Sequence, residues 1–297
     1  VSMTDNLTTE TVPAAVRYRL PDGQQLAGLA WGSTDLPVLI ALHGWLDNAA
    51  SFNQLAPRLA QHYRVIALDL AGHGFSSHRP PGSDYNMLGY VVDLASLMET
   101  HFPEGARFLG HSLGGIVASL LASSLPETVH RLAMVDSLGP QVARPEKFAD
   151  ELSRAVRRRS EHRHSVVPEY ATRDEAVAAR CSGTLPLSRE AAEAIVPRNL
   201  RRCEAGWSWR TDPRLRYPSL QKLTEEHVSA YMGAIRCPAI MLEADDGLLV
   251  KAGSMLADRY GAMEQLEVVT VGGSHHCHLD GDVANMADLL ISFLQHN

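Results

Sequence analysis

Apolar residues fall along this chain in two textures, and their order predicts an architecture. Residues 16–20 (VRYRL) and 25–31 (QLAGLAW) flank an Asp22-Gly23 pair, the usual signal of a tight hairpin. Residues 38–42 (VLIAL) and 64–70 (RVIALDL) are continuous apolar runs, as expected of strands buried on both faces. Residues 49–61 between them read as helix. Residues 90–100 have helical spacing, 107–110 form a short strand, 113–124 a Leu- and Ala-rich helix, and 131–135 another strand. Strands alternating with helices predict an α/β fold, a mainly parallel sheet flanked by helices on both faces.

The texture changes after Gly139-Pro140. Residues 140–235 are rich in Arg and Glu, helical in pattern and poor in apolar strand-like runs. Strand signals resume at 239–242 and 266–271, and an amphipathic helix at about 283–294 closes the chain. Sheet strands on both sides of the helical block favour an insertion over a second independent domain. The expected organisation is a core domain of residues 1–139 and 236–297, with an inserted helical cap at 140–235. Tyr170, Trp207, Trp209 and Tyr217 in the cap are candidates for an apolar pocket wall, and equally for cap core.

Composition narrows the classes of function. The 297 residues are 45% hydrophobic and 21% charged, with a net charge of −7 and a pI near 6.0. No basic field is offered to nucleic acid or to an anionic membrane. The Arg cluster at 154, 157, 158, 159 and 163 reads as a solvated helix face. Cys181, Cys203, Cys237 and Cys277 are scattered without a C-x-x-C pair, which suits a reducing cytoplasm. No apolar run approaches the ~20 residues of a membrane span. Residues 1–12 lack a basic start and an apolar stretch, so no signal peptide is expected, and residues 294–297 form no familiar address. The expected partner is a small-molecule substrate, with no nucleic acid and no membrane, and nothing in the pattern specifies an oligomeric state.

The chemistry concentrates in three places. An alcohol is a poor nucleophile at neutral pH and needs an adjacent base and donors for the oxyanion it creates. Gly110-His111-Ser112-Leu113-Gly114 sits between a predicted strand and a predicted helix, where a tight turn flanked by small residues lifts a Ser Oγ clear of the sheet. Ser112 is the candidate nucleophile. His43-Gly44-Trp45 follows the buried strand, and the N–H groups of Trp45 and Leu113 are the candidate oxyanion hole. The base is sought late in the chain, in Gly272-Gly273-Ser274-His275-His276-Cys277-His278-Leu279-Asp280. His275 is the choice, with His276 and His278 as packing or supporting residues. A zinc site is the competing reading of this cluster. Adjacent residues cannot all converge on one ion, and no second cluster supplies further ligands, so neither a metal nor a cofactor is expected.

These motifs, together with Asp69-Leu70-Ala71-Gly72-His73-Gly74-Phe75-Ser76, resemble the α/β-hydrolase superfamily and occur in its order. The resemblance implies that fold, and supports His275 as the first His of a His-x-x-His-Leu-acid segment. A narrower likeness, to the serine-hydrolase-like branch, rests on residues 43–52 (HGWLDNAASF), Arg198-Asn199-Leu200 and residues 209–215 (WRTDPRL). The third triad member departs from the common pattern. Superfamily members often place it in a Gly-x-x-Asp loop after the strand that follows the cap; here Gly247 falls at that position, and Asp246 fills it only with a one-residue deletion. Some relatives carry the acid after the strand preceding the cap, which is Asp136 here. Asp136 needs no gap and is preferred, with Asp246 as the alternative.

Hydrolysis of a carboxylic ester, thioester or lactone through an acyl-enzyme is the expected function. Carbon–carbon bond hydrolysis and perhydrolysis also use a serine and stay open, as does a non-catalytic binding protein on the same fold. A carboxylate nucleophile is excluded by Ser112. A nucleotide-binding reading fails for want of a G-x-G-x-x-G turn or a P-loop.

Overall fold

The computed structural model describes residues 12–162, 167–183 and 185–295. The N-terminal stretch read above lies outside them up to residue 11, as do Arg163 and residues 296–297. Eight strands form one sheet in the order β1-β2-β4-β3-β5-β6-β10-β11. They are β1 (Ala14–Arg19), β2 (Gln25–Trp31), β3 (Val38–Leu42), β4 (Arg64–Leu68), β5 (Ala106–His111), β6 (Val129–Val135), β10 (Ala239–Asp246) and β11 (Leu266–Ser274). β1 and β2 run antiparallel to their neighbours, and the six from β4 to β11 are mutually parallel.

Alternation explains why the central strands read as unbroken apolar runs, because successive side chains enter opposite helix layers. Ile40, Leu42, Ile66, Leu68, Phe108, Leu132, Met134 and Met241 share one core. Residues from α2 (Met87–His101), α3 (Leu113–Ser124) and α7 (Glu225–Gly233) complete it. Leu39, Ala41, Val65, Ala67, Leu109, Ala133, Ile240 and Leu242 face the other core, with α1 (Ala56–Leu59) and α8 (Val283–Gln295). Burying a Leu or Ile side chain stabilises the fold by about 1.5–3 kcal/mol, so each strand is held strongly from both sides.

The stretch read as one helix over 49–61 is instead a 3-10 turn, Ala49–Phe52, followed by the single turn α1. Pro57 at the start of α1 cannot donate to a continuous helix. Between β6 and β10 lie α4 (Phe148–His162), α5 (Arg173–Cys181), α6 (Arg189–Asn199) and α7. A small antiparallel sheet also lies there, β7-β9-β8, formed by Glu169–Tyr170, Gly206–Trp209 and Leu200–Cys203. The stretch is therefore not purely helical. Ala176, Val177, Ile195, Val196 and Leu200 give it a core of its own, joined by Leu279. α7 is different, since Val228 and Met232 are buried in the main core. On α4, Arg154, Arg157 and Arg158 are exposed as expected, whereas Arg159 pairs with Asp84 at 2.6 Å. All four cysteines are free, and no helix of the described residues is long and apolar enough to cross a membrane.

Register carries the site. Leu42 pairs with Gly110, His111 with Val135, and Val135 with Leu242. Parallel strands in step end together, so the residues after β3, β5, β6 and β10 emerge at one edge of the sheet, where ligands of open α/β sheets bind.

Candidate active site

Ser112 stands between β5 and α3 with φ 50° and ψ −117°. Among the described residues only Leu46, Ser112 and Asp136 are non-glycine residues with positive φ. All three follow the ends of β3, β5 and β6. Such conformations cost about 1–3 kcal/mol each and persist where the surroundings impose them. Here the surroundings are identifiable. The Ser112 N–H donates to Val135 O at 3.1 Å, and the Ser137 hydroxyl donates to Ser112 O at 2.7 Å. Close approach also explains the flanking glycines. A Cβ on Gly114 would stand 2.1 Å from Leu42 O, and one on Gly110 would stand 2.4 Å from Gly115 N.

Two buried imidazoles shape the loop after β3. Leu70 N–H donates to His43 Nε2 at 3.0 Å, so the His43 proton sits on Nδ1 and is given to Gly44 O at 2.7 Å. Leu46 N–H donates likewise to His73 Nε2 at 3.2 Å, leaving Nδ1–H for Ala71 O. Burial lowers both pKa values, that of His73 to about 3, which keeps the rings neutral and able to accept. Trp45 is anchored from its side chain, with Nε1–H donating to Leu215 O at 3.0 Å. Neither the Trp45 N–H nor the Leu113 N–H is engaged by another group among the described residues. Leu113 opens α3, whose first N–H groups have no partner within the helix.

His275 follows β11, and its Nδ1 meets Asp136 Oδ2 at 2.5 Å. The Asp136 carboxylate also accepts from Leu248 N–H at 2.7 Å. Asp246 is not brought there: it is exposed and pairs with Lys251 at 2.9 Å. The residue at the superfamily's customary acid position has a steric role. A Cβ on Gly247 would lie 2.3 Å from Asp136 Oδ1, so the absence of a side chain makes room for a carboxylate arriving from the neighbouring strand. His275 Nε2 is buried without a protein partner. The His275 carbonyl accepts from His111 Nε2–H at 2.8 Å, which ties the base segment to the residue before Ser112.

Behind this edge lies a polar cluster that the sequence did not reveal. Asp47 Oδ2, His111 Nδ1 and His276 Nε2 lie within 4.8 Å of one another, all buried, and are the one group of described residues with metal-ligand character. His276 is thus joined by donors from two distant segments, where the sequence showed no second set. Arg180 Nη2 already pairs with Asp47 Oδ1 at 2.9 Å. Burial opposes the Asp47 charge, yet the His276 hydrogen bond and the charges of His276 and Arg180 hold it well below the usual carboxylate range. Burial drives His111 well down, and His278 to about 3. His278 packs on Phe52 and His111, with ring centroids 5.6 and 4.1 Å away.

A second buried carboxylate fastens the segment after β6 to the core. Asp69 accepts from Ala49 N–H and Phe75 N–H, both at 2.8 Å. Arg198, near the end of α6, closes on it with Nη2 at 2.7 Å and Nε at 3.0 and 3.1 Å. Beside it, Asn199 donates to Leu46 O at 3.1 Å. Arg198 and Asn199 carried only a family likeness in the sequence; the structure gives both a contact with the site loops. Of the aromatic candidates, Tyr170, Trp209 and Tyr217 line a cavity against Trp45 and Leu46. Trp207 does not; it is stacked between the guanidinium groups of Arg173 and Arg202 at 4.3 and 4.2 Å.

Comparison with known proteins agrees with this architecture. A family model described as the alpha/beta hydrolase fold matches residues 37–169. A serine hydrolase-like protein of Danio rerio is 27% identical, over 97% of this chain and 91% of its own length. Serine hydrolase-like protein 2 of Homo sapiens is 28% identical, over 91% and 90%. The crystal structure of a hypothetical protein from Pseudomonas aeruginosa PAO1 superposes with a TM-score of 0.89 at 39% identity, covering 95% of this chain and 99% of that one. The chain has the α/β-hydrolase fold, and over most of its length it is similar to the proteins named serine hydrolase-like.

Proposed function

We propose that the protein is a serine hydrolase that cleaves a carboxylic ester or a related acyl bond, such as a thioester or lactone. Ser112 Oγ attacks the carbonyl carbon while His275 Nε2 takes its proton. Asp136 holds the imidazole in the tautomer that leaves Nε2 free to accept, and stabilises the imidazolium that forms. The N–H groups of Trp45 and Leu113 receive the negative charge that develops on the carbonyl oxygen. The leaving group departs with the proton from His275, and water, deprotonated by the same nitrogen, releases the acyl group from Ser112. Residues 140–235 act as a cap over this edge of the sheet.

One observation carries the reading: the 2.5 Å contact between His275 Nδ1 and a carboxylate from another strand, beside a serine in a strained turn. A serine in a merely structural turn needs no such partner arrangement. The test is labelling with a fluorophosphonate probe. The native protein is expected to be labelled at Ser112 and to hydrolyse short acyl esters. Ser112→Ala is expected to lose both while keeping its thermal transition, since only a hydroxyl is removed. Persistent ester hydrolysis by the purified variant would remove Ser112 from the mechanism.

A further inference from the structure

The loop after β3, which carries the Trp45 N–H, is fastened to the inserted stretch at four successive residues. Trp45 Nε1–H donates to Leu215 O at 3.0 Å. The Leu46 carbonyl accepts from Asn199 Nδ2 at 3.1 Å. Asp47 Oδ1 accepts from Arg180 Nη2 at 2.9 Å, and Asn48 Nδ2 donates to Ile195 O at 2.8 Å. The core holds the same loop through two imidazoles, His43 donating to Gly44 O and His73 accepting from Leu46 N–H.

The backbone between these bonds is one that needs support. Asp47 N–H donates to Gly44 O at 3.1 Å, closing a four-residue turn in which Leu46 takes the third place with φ 65°. A positive φ at that place suits glycine or asparagine, so a leucine there is strained and must be held by its surroundings. The turn lies beside the nucleophile. A Cβ on Gly44 would stand 2.8 Å from His111 Nδ1, which sets the Gly44–Trp45 peptide against the residue before Ser112. The carbonyl of that peptide is fixed by two donors, His43 Nδ1–H and Asp47 N–H. In a planar trans peptide the N–H points the opposite way. The aim of the Trp45 N–H is therefore set by the turn, and the turn depends on what holds Leu46.

Asn199 holds it from the insertion. This residue is 3% exposed, and among the described residues its side chain makes one hydrogen bond, the one to Leu46, while its Oδ1 is buried without a partner. Burying an amide with half of its capacity unmet costs stability, so packing alone does not account for an asparagine here. We infer that Asn199 is a positioning residue of the reaction. Through Leu46 it keeps the Trp45 N–H aimed at the developing oxyanion, and the inserted stretch thereby completes the oxyanion hole. This rests on the hydrolase reading above and adds a residue, outside the triad, on which the stabilisation of the oxyanion depends.

The experiment has an exchange arm and a kinetic arm, each run on Asn199→Ala and on Asn199→Leu, which fills the space of the amide. Hydrogen exchange reports on the turn without any turnover. The amides of Leu46 and Asp47 are expected to exchange about tenfold faster in both variants, the scale of one lost hydrogen bond. The kinetic arm compares 4-nitrophenyl acetate with its thiono counterpart, in which sulfur replaces the carbonyl oxygen. Sulfur is larger and a weaker acceptor, so the thionoester draws less on the N–H donors. Removing one oxyanion donor costs about 10²–10³ in kcat, and loosening one should cost the ester about tenfold or more with KM little changed. The thionoester should lose less, so the ratio of the two rates narrows. Val177→Ala, in the small core of the insertion, is the control and should leave that ratio as it is. Unchanged exchange at Leu46 and Asp47, equal losses on ester and thionoester, or a control that narrows the ratio as much would each overturn the inference while leaving Ser112 labelling intact. Failure of the probe to label Ser112 would instead sink the hydrolase reading, and the exchange arm would still decide whether Asn199 holds the loop.

Discussion

Asp136 and Gly247 form one device at the scale of single residues. The carboxylate reaches His275 from β6 because position 247, after β10, offers no side chain to collide with it. Asp136→Asn is expected to lower turnover by roughly 10⁴, by analogy with other triads, because the amide favours the wrong imidazole tautomer. Asp246→Asn should cost no more than about tenfold, since that side chain pairs with Lys251 at the surface. Steady-state kinetics of the two purified variants decides between them. Gly247→Ala tests the space itself. Its methyl would displace the carboxylate, so kcat should fall by about a hundredfold, with KM little changed, while the protein stays folded. An unimpaired Gly247→Ala enzyme would show that the carboxylate has room to move. The sequence displayed Ser112 and His275 openly as candidates, because a serine between strand and helix and a late His are local patterns. It displayed Gly247 only as a missing acid, since the reason for the glycine lies 111 positions away in the chain. Asp47 was hidden in the same way, paired with Arg180 across 133 positions. That pairing also bears on metals. A guanidinium on one carboxylate oxygen opposes a cation on the other, so esterase activity should survive exhaustive dialysis against a chelator, and zinc restoring a lost rate would contradict this.

At the scale of elements, what the sequence revealed depended on length and burial. The six inner sheet strands were legible because five to eight residues, mostly buried on both faces, leave a continuous apolar trace. β7, β8 and β9 left none, being two to four residues long and carrying Arg201, Arg202 and Glu169 outward. Helical periodicity located α3 and α8 within a residue, whereas 49–61 concealed a break at Pro57 that amphipathic spacing alone does not report. α6 makes the sharpest prediction here. Its Arg198 is the counter-charge of a fully buried Asp69, and removing one partner of a buried pair strands the other. Arg198→Ala is expected to destabilise the protein by about 3–5 kcal/mol, read as a fall in denaturation midpoint. A change below about 1 kcal/mol would place the pair among surface ion pairs in energetic terms.

For the whole molecule, the net charge of −7 pointed away from anionic partners. It said nothing about the buried pairing of Asp47 with Arg180 or of Asp69 with Arg198, since a sum over the chain cannot register where charges are enclosed. The change of texture over 140–235 does not divide the packing: α7 lies in that stretch yet packs with the main core, and Leu279 lies outside it yet joins its small core. The bond between Asp69 and Arg198 spans 129 positions, and this has a consequence for how the chain is made. On the ribosome, β3, β4 and β5 emerge well before residue 198, and until then Asp69 must stay hydrated. The first half of the sheet therefore has no dry resting state of its own. A nascent chain halted near residue 139 would carry an open, water-accessible loop cluster, the kind of partly formed edge on which holding chaperones act.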